Sequence, residues 1–295
     1  MKTVLIGVIG GSGLGQMLGD LGQGESLTVD TPFGAPSGPI VRSEVQGVPV
    51  ALLSRHGEGH LLNPSRVPYR ANIFALKSIG VTHILASAAV GSLREEIAPG
   101  HLVIPDQVID KTSDRPRTFF EELAVHVEFA APFCSLLRTL LLNAGQSAST
   151  VVHPRGTYVC MEGPQFSSRA ESDLHRSWGA ELIGMTALPE AKLAREAEIC
   201  YALVALPTDY DCWKPHPTEL GKAALLQEII GNLQSATRHA LDLIRRALPK
   251  VAEHGQEACT CQSALELAIW SDRKAVPMEL RRRLAPLLSK YLPPD

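Results

Sequence analysis

The sequence is poor in aromatic residues, in cysteine and in long apolar runs, and each scarcity excludes a class of protein. Phe, Trp and Tyr make up 5% of the 295 residues, so an aromatic side chain near a candidate site is informative. Six cysteines in a chain of this length do not form the framework of a small disulfide-rich domain. No apolar run approaches the roughly 20 residues of a membrane-spanning helix, so we expect no membrane partner.

The chain also lacks an excess of basic charge. It has 28 Lys and Arg against 31 Asp and Glu, which gives a formal net charge of −3. A nucleic-acid binder typically carries a basic stripe and a high isoelectric point, so we expect no nucleic-acid partner. The first residues, MKTVLIGVIGGSG, enter a glycine-rich turn without a small-residue cleavage site. They predict a first strand and not a signal peptide, and we therefore expect a cytoplasmic location.

Short runs rich in β-branched residues alternate with helical patterns along most of the chain. This alternation predicts an α/β fold: a single domain with a central mixed β-sheet flanked by helices. The predicted strands are 4–9, 48–53, 81–86, 102–109, 157–161, 182–185 and 199–205, and the predicted helices between them are 69–79, 133–144, 168–178 and 189–197.

The C-terminal part of the sequence has helical patterns without strands, interrupted by a polar, irregular stretch at 250–262. Its longest helix is predicted over 220–248, and Pro249 is expected to end it. Two shorter helices are predicted at 264–270 and 277–291. We therefore expect residues 1–250 to form the main domain and residues 251–295 to form a helical extension packed on the same domain, as a lid or an oligomer contact.

A glycine-rich segment, GVIGGSGLG, follows the first predicted strand. Glycines allow backbone N–H groups to surround an anion, and Ser12 adds a hydroxyl donor. The glycines at 11, 13 and 15 do not have the G-x-G-x-x-G spacing of a dinucleotide-binding turn. The segment indicates a small-anion site, with a simple tight turn as one alternative and a dinucleotide enzyme as a more distant one.

Two further strand ends carry residues suited to an anion. Arg55 and His56 follow the second predicted strand, and arginine is a planar bidentate donor to oxyanions. The small residues of SAAVGSLREE, 87–96, would allow a ligand to approach the backbone of the next strand. Ligands in α/β folds bind at such strand ends, although a solvated pair and a simple turn are the simpler alternatives.

The later segments carry candidate ligand-binding side chains. Phe166 precedes a serine that can cap the next helix with Glu171 reaching back, so Phe166 can be a core anchor or a platform for a ring. Asp209 and Asp211 follow the last predicted strand and would share a face in an extended segment. Such a pair suits acid–base chemistry or acceptance of hydrogen bonds from amino groups. The neighbouring sequence has no third potential ligand at suitable spacing, so a metal site is not favoured there.

The C-x-C pair, Cys259 and Cys261, is spaced too tightly for the usual zinc-binding pair. This favours unpaired thiols and leaves open a bridge from one of them to Cys134 or Cys200. We expect no metal site in the chain.

In this order, the segments resemble the 5′-methylthioadenosine phosphorylases, which belong to the trimeric branch of the purine nucleoside phosphorylase superfamily. The resemblance covers roughly residues 4–250. It rests on VIGGSGL, TPFG, RHG with a histidine three residues further on, YRANI, GSLREEI, EGPQFSSRAES, MTALPEA and TDYDCW.

The resemblance implies phosphate-dependent cleavage of 5′-methylthioadenosine to adenine and 5-methylthioribose 1-phosphate, with inorganic phosphate as co-substrate and no cofactor. It implies a homotrimer or a dimer of trimers. The implied phosphate ligands are Ser12, Arg55, His56, the Ala89 backbone and Thr186. The implied nucleoside ligands are Met185 at the ribose, Phe166 on the purine, Asp209 and Asp211 at the N7 and 6-amino edge, His126 from a neighbouring subunit, and Leu225 and Leu226 near the methylthio group.

The two aspartates favour adenine, because a carboxylate accepts a hydrogen bond from a 6-amino group whereas a 6-oxo group offers only an acceptor. Asp209 is our choice for the acid that protonates N7, and the opposite assignment stays open. Two residues depart from the family pattern: Ala88 replaces a hydroxyl residue, and Lys222 lies in the loop near the 5′ substituent. The alternatives are a broader purine nucleoside phosphorylase, accepting adenosine or 6-oxopurine nucleosides, and a non-catalytic nucleoside-binding protein.

Overall fold

The computed structural model describes residues 4–14, 18–21, 23–215 and 221–294, and there the chain folds around one mixed sheet of eleven strands. The predicted α/β class is confirmed. The strands are β1 (Leu5–Gly10), β2 (Glu25–Leu27), β3 (Ile40–Val45), β4 (Val48–Ser54), β5 (Val81–Ser92), β6 (Leu102–Val103), β7 (Gln107–Lys111), β8 (Val152–His153), β9 (Thr157–Met161), β10 (Leu182–Gly184) and β11 (Cys200–Asp209).

Four parallel strands, β4, β1, β5 and β11, form the centre of the sheet. All six residues of β1 are buried. Leu5 and Ile9 lie in one hydrophobic core, and Ile6 and Val8 lie in the core on the opposite face. Strands covered on both faces need continuous apolar sequence, which is why these runs were recognisable. Their carboxyl ends lie at one edge of the sheet.

The remaining strands extend the sheet on either side of this centre. Strand β10 runs antiparallel to the end of β5, with Leu182 opposite Ser92, and continues through β9 to β7. The predicted strand 102–109 was wrong as one element, because β6 and β7 are separate strands in different parts of the sheet. Strands β2, β3 and β8 were not predicted. In β3, only Ile40 and Val45 are buried, so it lacks a continuous apolar run.

Helices cover both faces of the sheet. They are α1 (Tyr69–Ser78), α2 (Ser135–Gly145), α3 (Arg169–Ser177), α4 (Ala187–Glu196), α5 (Lys222–His254), α6 (Met278–Arg283) and α7 (Ala285–Leu288). One core contains residues of α1 and α4 and the other contains residues of α2 and α5. The predicted cap of α3 is confirmed, since Ser168 and Glu171 form a reciprocal capping box.

Helix α5 ends at a later residue than predicted. Pro249 lies inside the helix, which continues to His254, so the prediction that Pro249 ends it was wrong. The residue 250 boundary therefore falls within a continuous helix. Among the described residues, no helix is long and apolar enough to cross a membrane.

The predicted helix over 264–270 was also wrong. This segment forms turns and then a bridge in which Ile269 pairs antiparallel with Val125. The Trp270 N–H donates to the Ala124 carbonyl at 2.9 Å, so part of its backbone is bonded to another segment. The predicted helix 277–291 is replaced by α6 and α7, and Leu284 and Leu288 pack in the core that contains α1.

Candidate active site

The last residues of β5, from Ser87 to Gly91, form the floor of the candidate site. The Gly11 N–H donates to Ser87 Oγ at 3.2 Å, and the Arg55 N–H donates to the Gly10 carbonyl at 2.9 Å. A Cβ atom at Gly11 would lie 2.5 Å from the Ser87 carbonyl oxygen and 2.6 Å from Arg55 Nη1. The glycine-rich loop therefore reaches β5 because residue 11 has no side chain.

Arg55 is fully buried beneath this loop and forms a bidentate ion pair with Glu190. Its Nε and Nη2 donate to the two carboxylate oxygens of Glu190, both at 2.7 Å, and its Nη1 donates to the Ser87 carbonyl at 2.7 Å. Burial acts to lower the pKa of Arg55, but the adjacent carboxylate outweighs it and raises that pKa. The sequence showed Glu190 only as the acidic residue in the first turn of α4.

His56 and His60 lie side by side at the end of β4, with ring centroids 4.2 Å apart. His56 Nδ1 lies 2.7 Å from the Leu62 carbonyl, which accepts, so Nδ1 carries the proton and Nε2 is available as an acceptor. Burial, and then the charge of Arg55, lowers the pKa of His56 to about 4. Burial also lowers the pKa of His60, so both rings are held towards their neutral form.

His60 is a site residue that the sequence analysis did not assign. Its Nε2 lies 3.5 Å from Ser12 Oγ, which joins the histidine pair to the glycine-rich loop. Gly57 and Gly59 both have positive φ, and so does His60 at 58°. This turn returns the chain towards Ser12, and the spacing GEGH was the available signal.

The middle of the floor is bordered by β10 and β11. Ala89 pairs with Leu206 on β11. On the other side, Ile183 of β10 pairs with Gly91, and β10 ends at Gly184, directly before Met185 and Thr186. Thr186 is buried, and its N–H donates to the Tyr158 hydroxyl at 3.4 Å. Of the expected ligand-binding residues, Ala89 therefore lies on the floor itself, and Met185 and Thr186 directly follow the strand that pairs with its end.

Asp209 and Asp211 lie at the far end of the floor, with Asp209 paired to Gly91. The expectation that they share a face of an extended segment was wrong, because Asp211 has φ 51° and begins a 3-10 turn. Asp209 accepts hydrogen bonds from the Thr208 hydroxyl at 2.7 Å and from the Asp211 N–H at 2.9 Å. Asp211 is buried and accepts a hydrogen bond from the Ser172 hydroxyl at 2.5 Å. The turn fixes both carboxyl groups.

Comparison with known proteins identifies the family of this chain. The model of the Phosphorylase superfamily matches residues 5–249. The S-methyl-5′-thioadenosine phosphorylase of Geobacter sulfurreducens is 49% identical over 290 residues, which cover 98% of this chain and 99% of that protein. The chain belongs to the S-methyl-5′-thioadenosine phosphorylase family.

Other relatives agree over the full length. The S-methyl-5′-thioadenosine phosphorylase of Chloroflexus aurantiacus is 48% identical and covers 99% of each chain. The crystal structure of a methylthioadenosine phosphorylase from an antarctic soil metagenomic library has a TM-score of 0.86 and 46% identity, over 97% of this chain and 100% of that one. A mutant adenosine/methylthioadenosine phosphorylase from Schistosoma mansoni, in complex with methylthioadenosine, has a TM-score of 0.82 and 33% identity, over 91% and 100%.

Several residues expected from the phosphorylase resemblance are exposed at or beyond the rim of this site. The Phe166 side chain is 86% exposed, on a loop that contacts the Asp211 turn where Cys212 Sγ donates to the Ser167 carbonyl at 3.4 Å. Leu226 is 55% exposed at the start of α5, and Leu225 is half-buried. The side chain of Lys222 lies outside the described part of the chain.

His126 lies against the C-terminal segment and not against the floor of the phosphorylase site. It is exposed, its N–H donates to the Ala268 carbonyl at 2.9 Å, and its ring meets Trp270 edge-on at 4.9 Å.

Proposed function

We propose that the chain catalyses the phosphate-dependent cleavage of 5′-methylthioadenosine to adenine and 5-methylthioribose 1-phosphate. The observation that carries this is the arrangement along β5, where the loop of Gly11 and Ser12 meets Ser87 and the Asp209 turn meets Gly91. Four residues of strand span roughly 13 Å, which leaves room for a phosphate, a ribose and a purine in line. Family membership supports the same reaction.

The phosphate half of the proposal uses donors around the first part of the floor. Ser12, Arg55, His56, the Ala89 N–H and Thr186 are proposed to hold inorganic phosphate against C1′ of the nucleoside. Each Nη of Arg55 carries two hydrogens, and the contacts to Glu190 and Ser87 use one apiece. Catalysis there is positioning of the nucleophile and electrostatic support of an oxocarbenium-like transition state. We propose no cofactor.

The base half of the proposal uses the aspartate turn. Asp209 is proposed to donate the proton that neutralises N7 of the leaving adenine, a contribution of about 10²–10⁴-fold in rate. Asp211 is proposed to accept a hydrogen bond from the 6-amino group, with the Ser172 hydroxyl orienting its carboxylate. A 6-oxopurine would place an acceptor against this acceptor, so we expect adenine nucleosides to be preferred.

The remaining nucleoside contacts are proposed to complete the site from its rim and from a second subunit. Met185 is assigned to the ribose, Phe166 to the purine face, and Leu225 and Leu226 to the methylthio group. The exposure of Phe166 and Leu226 in one chain supports surfaces that a ligand or a partner covers. His126 is assigned to the 5′ side of the sugar in a neighbouring subunit of a homotrimer or dimer of trimers in the cytoplasm.

The test is an assay of adenine release from methylthioadenosine with and without phosphate. We expect adenine and the sugar phosphate in equal amounts, only when phosphate is present, and a kcat/KM for inosine at least ~10²-fold lower. Adenine released without phosphate, or no adenine at all, would contradict phosphorolysis. Equal rates on inosine would leave phosphorolysis standing and reject the assigned base preference, and adenosine in a third arm measures how far the methylthio group matters.

A further inference from the structure

A cluster of four cysteines lies outside the candidate active site. The Sγ atoms of Cys134, Cys200, Cys259 and Cys261 all lie within 4.8 Å of one another, and those of Cys134 and Cys259 are 3.7 Å apart. All four are unpaired thiols. They come from the residue that precedes α2, the first residue of β11 and the 3-10 turn after α5. Segments far apart in sequence therefore converge on one point.

We propose that these four cysteines bind one structural Zn²⁺ ion. Zinc bound by four thiolates at about 2.3 Å is tetrahedral, which sets the distance between neighbouring sulfur atoms at roughly 3.8 Å. The spread of the four Sγ atoms matches that geometry. A disulfide needs two sulfur atoms about 2.05 Å apart, and a cluster of several iron atoms needs its thiolates spread more widely. The C-x-C spacing does not exclude zinc once Cys134 and Cys200 supply the other two ligands.

The surroundings suit a closed, structural site. Cys134, Cys200 and Cys261 are buried and Cys259 is half-buried. A bound Zn²⁺ would stabilise the thiolate form of all four side chains at once. Four protein ligands leave no open position for catalysis.

A buried histidine provides a polar neighbour for such a site. His83 pairs with Cys200 in the register of β5 and β11, which places both side chains on the same face of the sheet. His83 is fully buried, and its Nε2 has no hydrogen-bond partner among the described residues. A thiolate bound to zinc is an acceptor of the kind that outer-shell donors stabilise at metal sites.

The zinc would fasten the C-terminal segment to the core. Cys134 is joined to β11 by its own N–H, which donates to the Tyr201 carbonyl at 2.8 Å. Beyond Cys261 the chain runs to Ala268, whose carbonyl accepts the N–H of His126. The metal site therefore anchors the segment on which His126 rests.

The test is the metal content of the full-length protein purified without added metal or chelator. We expect one zinc ion per chain by plasma mass spectrometry, released when an organomercurial reagent titrates the thiols. Replacement of zinc by Co²⁺ should give the thiolate-to-cobalt charge-transfer bands and intense visible bands of a tetrahedral tetrathiolate site. The double variant Cys259→Ser, Cys261→Ser should hold at least ~10-fold less zinc.

Cys160→Ala is the control, because Cys160 is a buried free cysteine outside the cluster, and this variant should retain the full zinc content. If the double variant does not fold, the zinc content and the cobalt spectrum of the wild-type protein decide whether the four cysteines bind zinc. Protein that lacks metal and is lighter by four hydrogen atoms than its reduced form would indicate two disulfides and overturn the proposal. Four free alkylatable thiols without metal, or iron in place of zinc, would overturn it as well.

Discussion

At the scale of single residues, the contacts of Asp211 bear on its proposed role as acceptor for the 6-amino group of the purine. Its carboxylate is buried, accepts from Ser172 and is held in a left-handed turn that also fixes Asp209. A group held in this way presents the same acceptor to every ligand. Under the proposed assignment, the preference among purines depends on this one carboxylate.

We expect Asp211→Asn to shift base preference towards 6-oxopurines, because the amide can donate to a 6-oxo group while its oxygen still accepts from Ser172. The ratio of kcat/KM for methylthioadenosine to that for inosine should fall at least ~10-fold. The measurement is initial rates on both nucleosides at saturating phosphate. Asp173→Asn on α3, whose carboxylate is exposed and pairs with Arg169, should leave the ratio unchanged.

At the scale of elements, two helices meet the site through residues whose sequence signals were weak. A side chain at Gly13 would collide with Thr237 on α5, and Asn232 of the same helix donates to the Thr208 carbonyl at 3.0 Å. Helix α5 therefore holds both the glycine-rich loop and the end of β11. On the other face, α4 supplies Glu190 to Arg55 and Glu196 to the backbone of Phe119.

Gly13 and Gly47 allow this role of α5 to be tested, since both have positive φ, 80° and 78°. A Cβ at Gly47 meets nothing within 4 Å, whereas one at Gly13 meets Thr237 and Leu233. Gly47→Ala should cost only the backbone strain of about 1–2 kcal/mol in unfolding free energy and leave kinetics unchanged. Gly13→Ala should in addition raise the KM for phosphate; equal phosphate KM values in the two variants would show that the packing of the loop on α5 does not matter.

Glu196 gives a pH dependence with a definite sign. Burial raises its pKa from 4.5 to about 7, against the opposing hydrogen bonds from Phe119 and Thr118. The folded state therefore binds this proton more tightly than the unfolded state does. The resulting stabilisation is complete below pH 4.5 and is lost as the pH rises through 7.

We expect Glu196→Gln to reduce the loss of stability between pH 5 and pH 8 by about 1–3 kcal/mol relative to the wild type. The measurement is the free energy of unfolding in urea at both pH values. The difference between the two proteins gives the contribution of Glu196 to the pH dependence. His56 contributes with the opposite sign, because its lowered pKa makes stability fall as the pH drops from 6.5 towards 4. If the free energy of unfolding depends on pH identically in the two proteins, the raised pKa of Glu196 is contradicted.

At the scale of the whole molecule, one chain carries the proposed phosphate and base halves of the site on its sheet, whereas His126 packs against the C-terminal segment. His126 rests on the C-terminal segment, through Ala268 and Trp270. A residue placed in this way can serve the active site of a neighbour in a closed ring of subunits. This placement supports the proposed oligomer.

Mixing two impaired variants, assayed at a methylthioadenosine concentration well below the KM of His126→Ala, tests whether His126 acts between subunits. Asp209→Asn should lower kcat by ~10²–10⁴-fold, and His126→Ala should raise the KM for methylthioadenosine. Random mixed trimers of the two should contain about a quarter of sites with both residues intact, and should recover activity in that proportion. No recovery after subunit exchange has been verified by native mass spectrometry would place both residues in one chain's site.

The sequence predicted the parts of this molecule that depend on local pattern. The strands around β5 were recognisable because burial on both faces requires apolar runs, and the Ser168 cap was recognisable because its partner is three residues away. The Arg55 and Glu190 pair spans 135 residues and the Cys134 and Cys259 contact spans 125, so neither leaves a local signal. The predicted helix over 264–270 does not form because the pairing of Ile269 with Val125 overrides the helical spacing of the segment.

The ion pair between Arg55 and Glu190 has a consequence for turnover. Glu190 already balances the guanidinium charge of Arg55, and the lowered pKa values of His56 and His60 hold both rings towards neutrality. We therefore expect an anion bound beside these residues to be held mainly by oriented dipoles and not by net charge. In the proposed reaction, the inorganic phosphate becomes the phosphate group of the sugar phosphate, which would remain at this same position beside Arg55. We expect it to leave rapidly, so that product release does not limit the reaction and raised ionic strength changes the phosphate KM little.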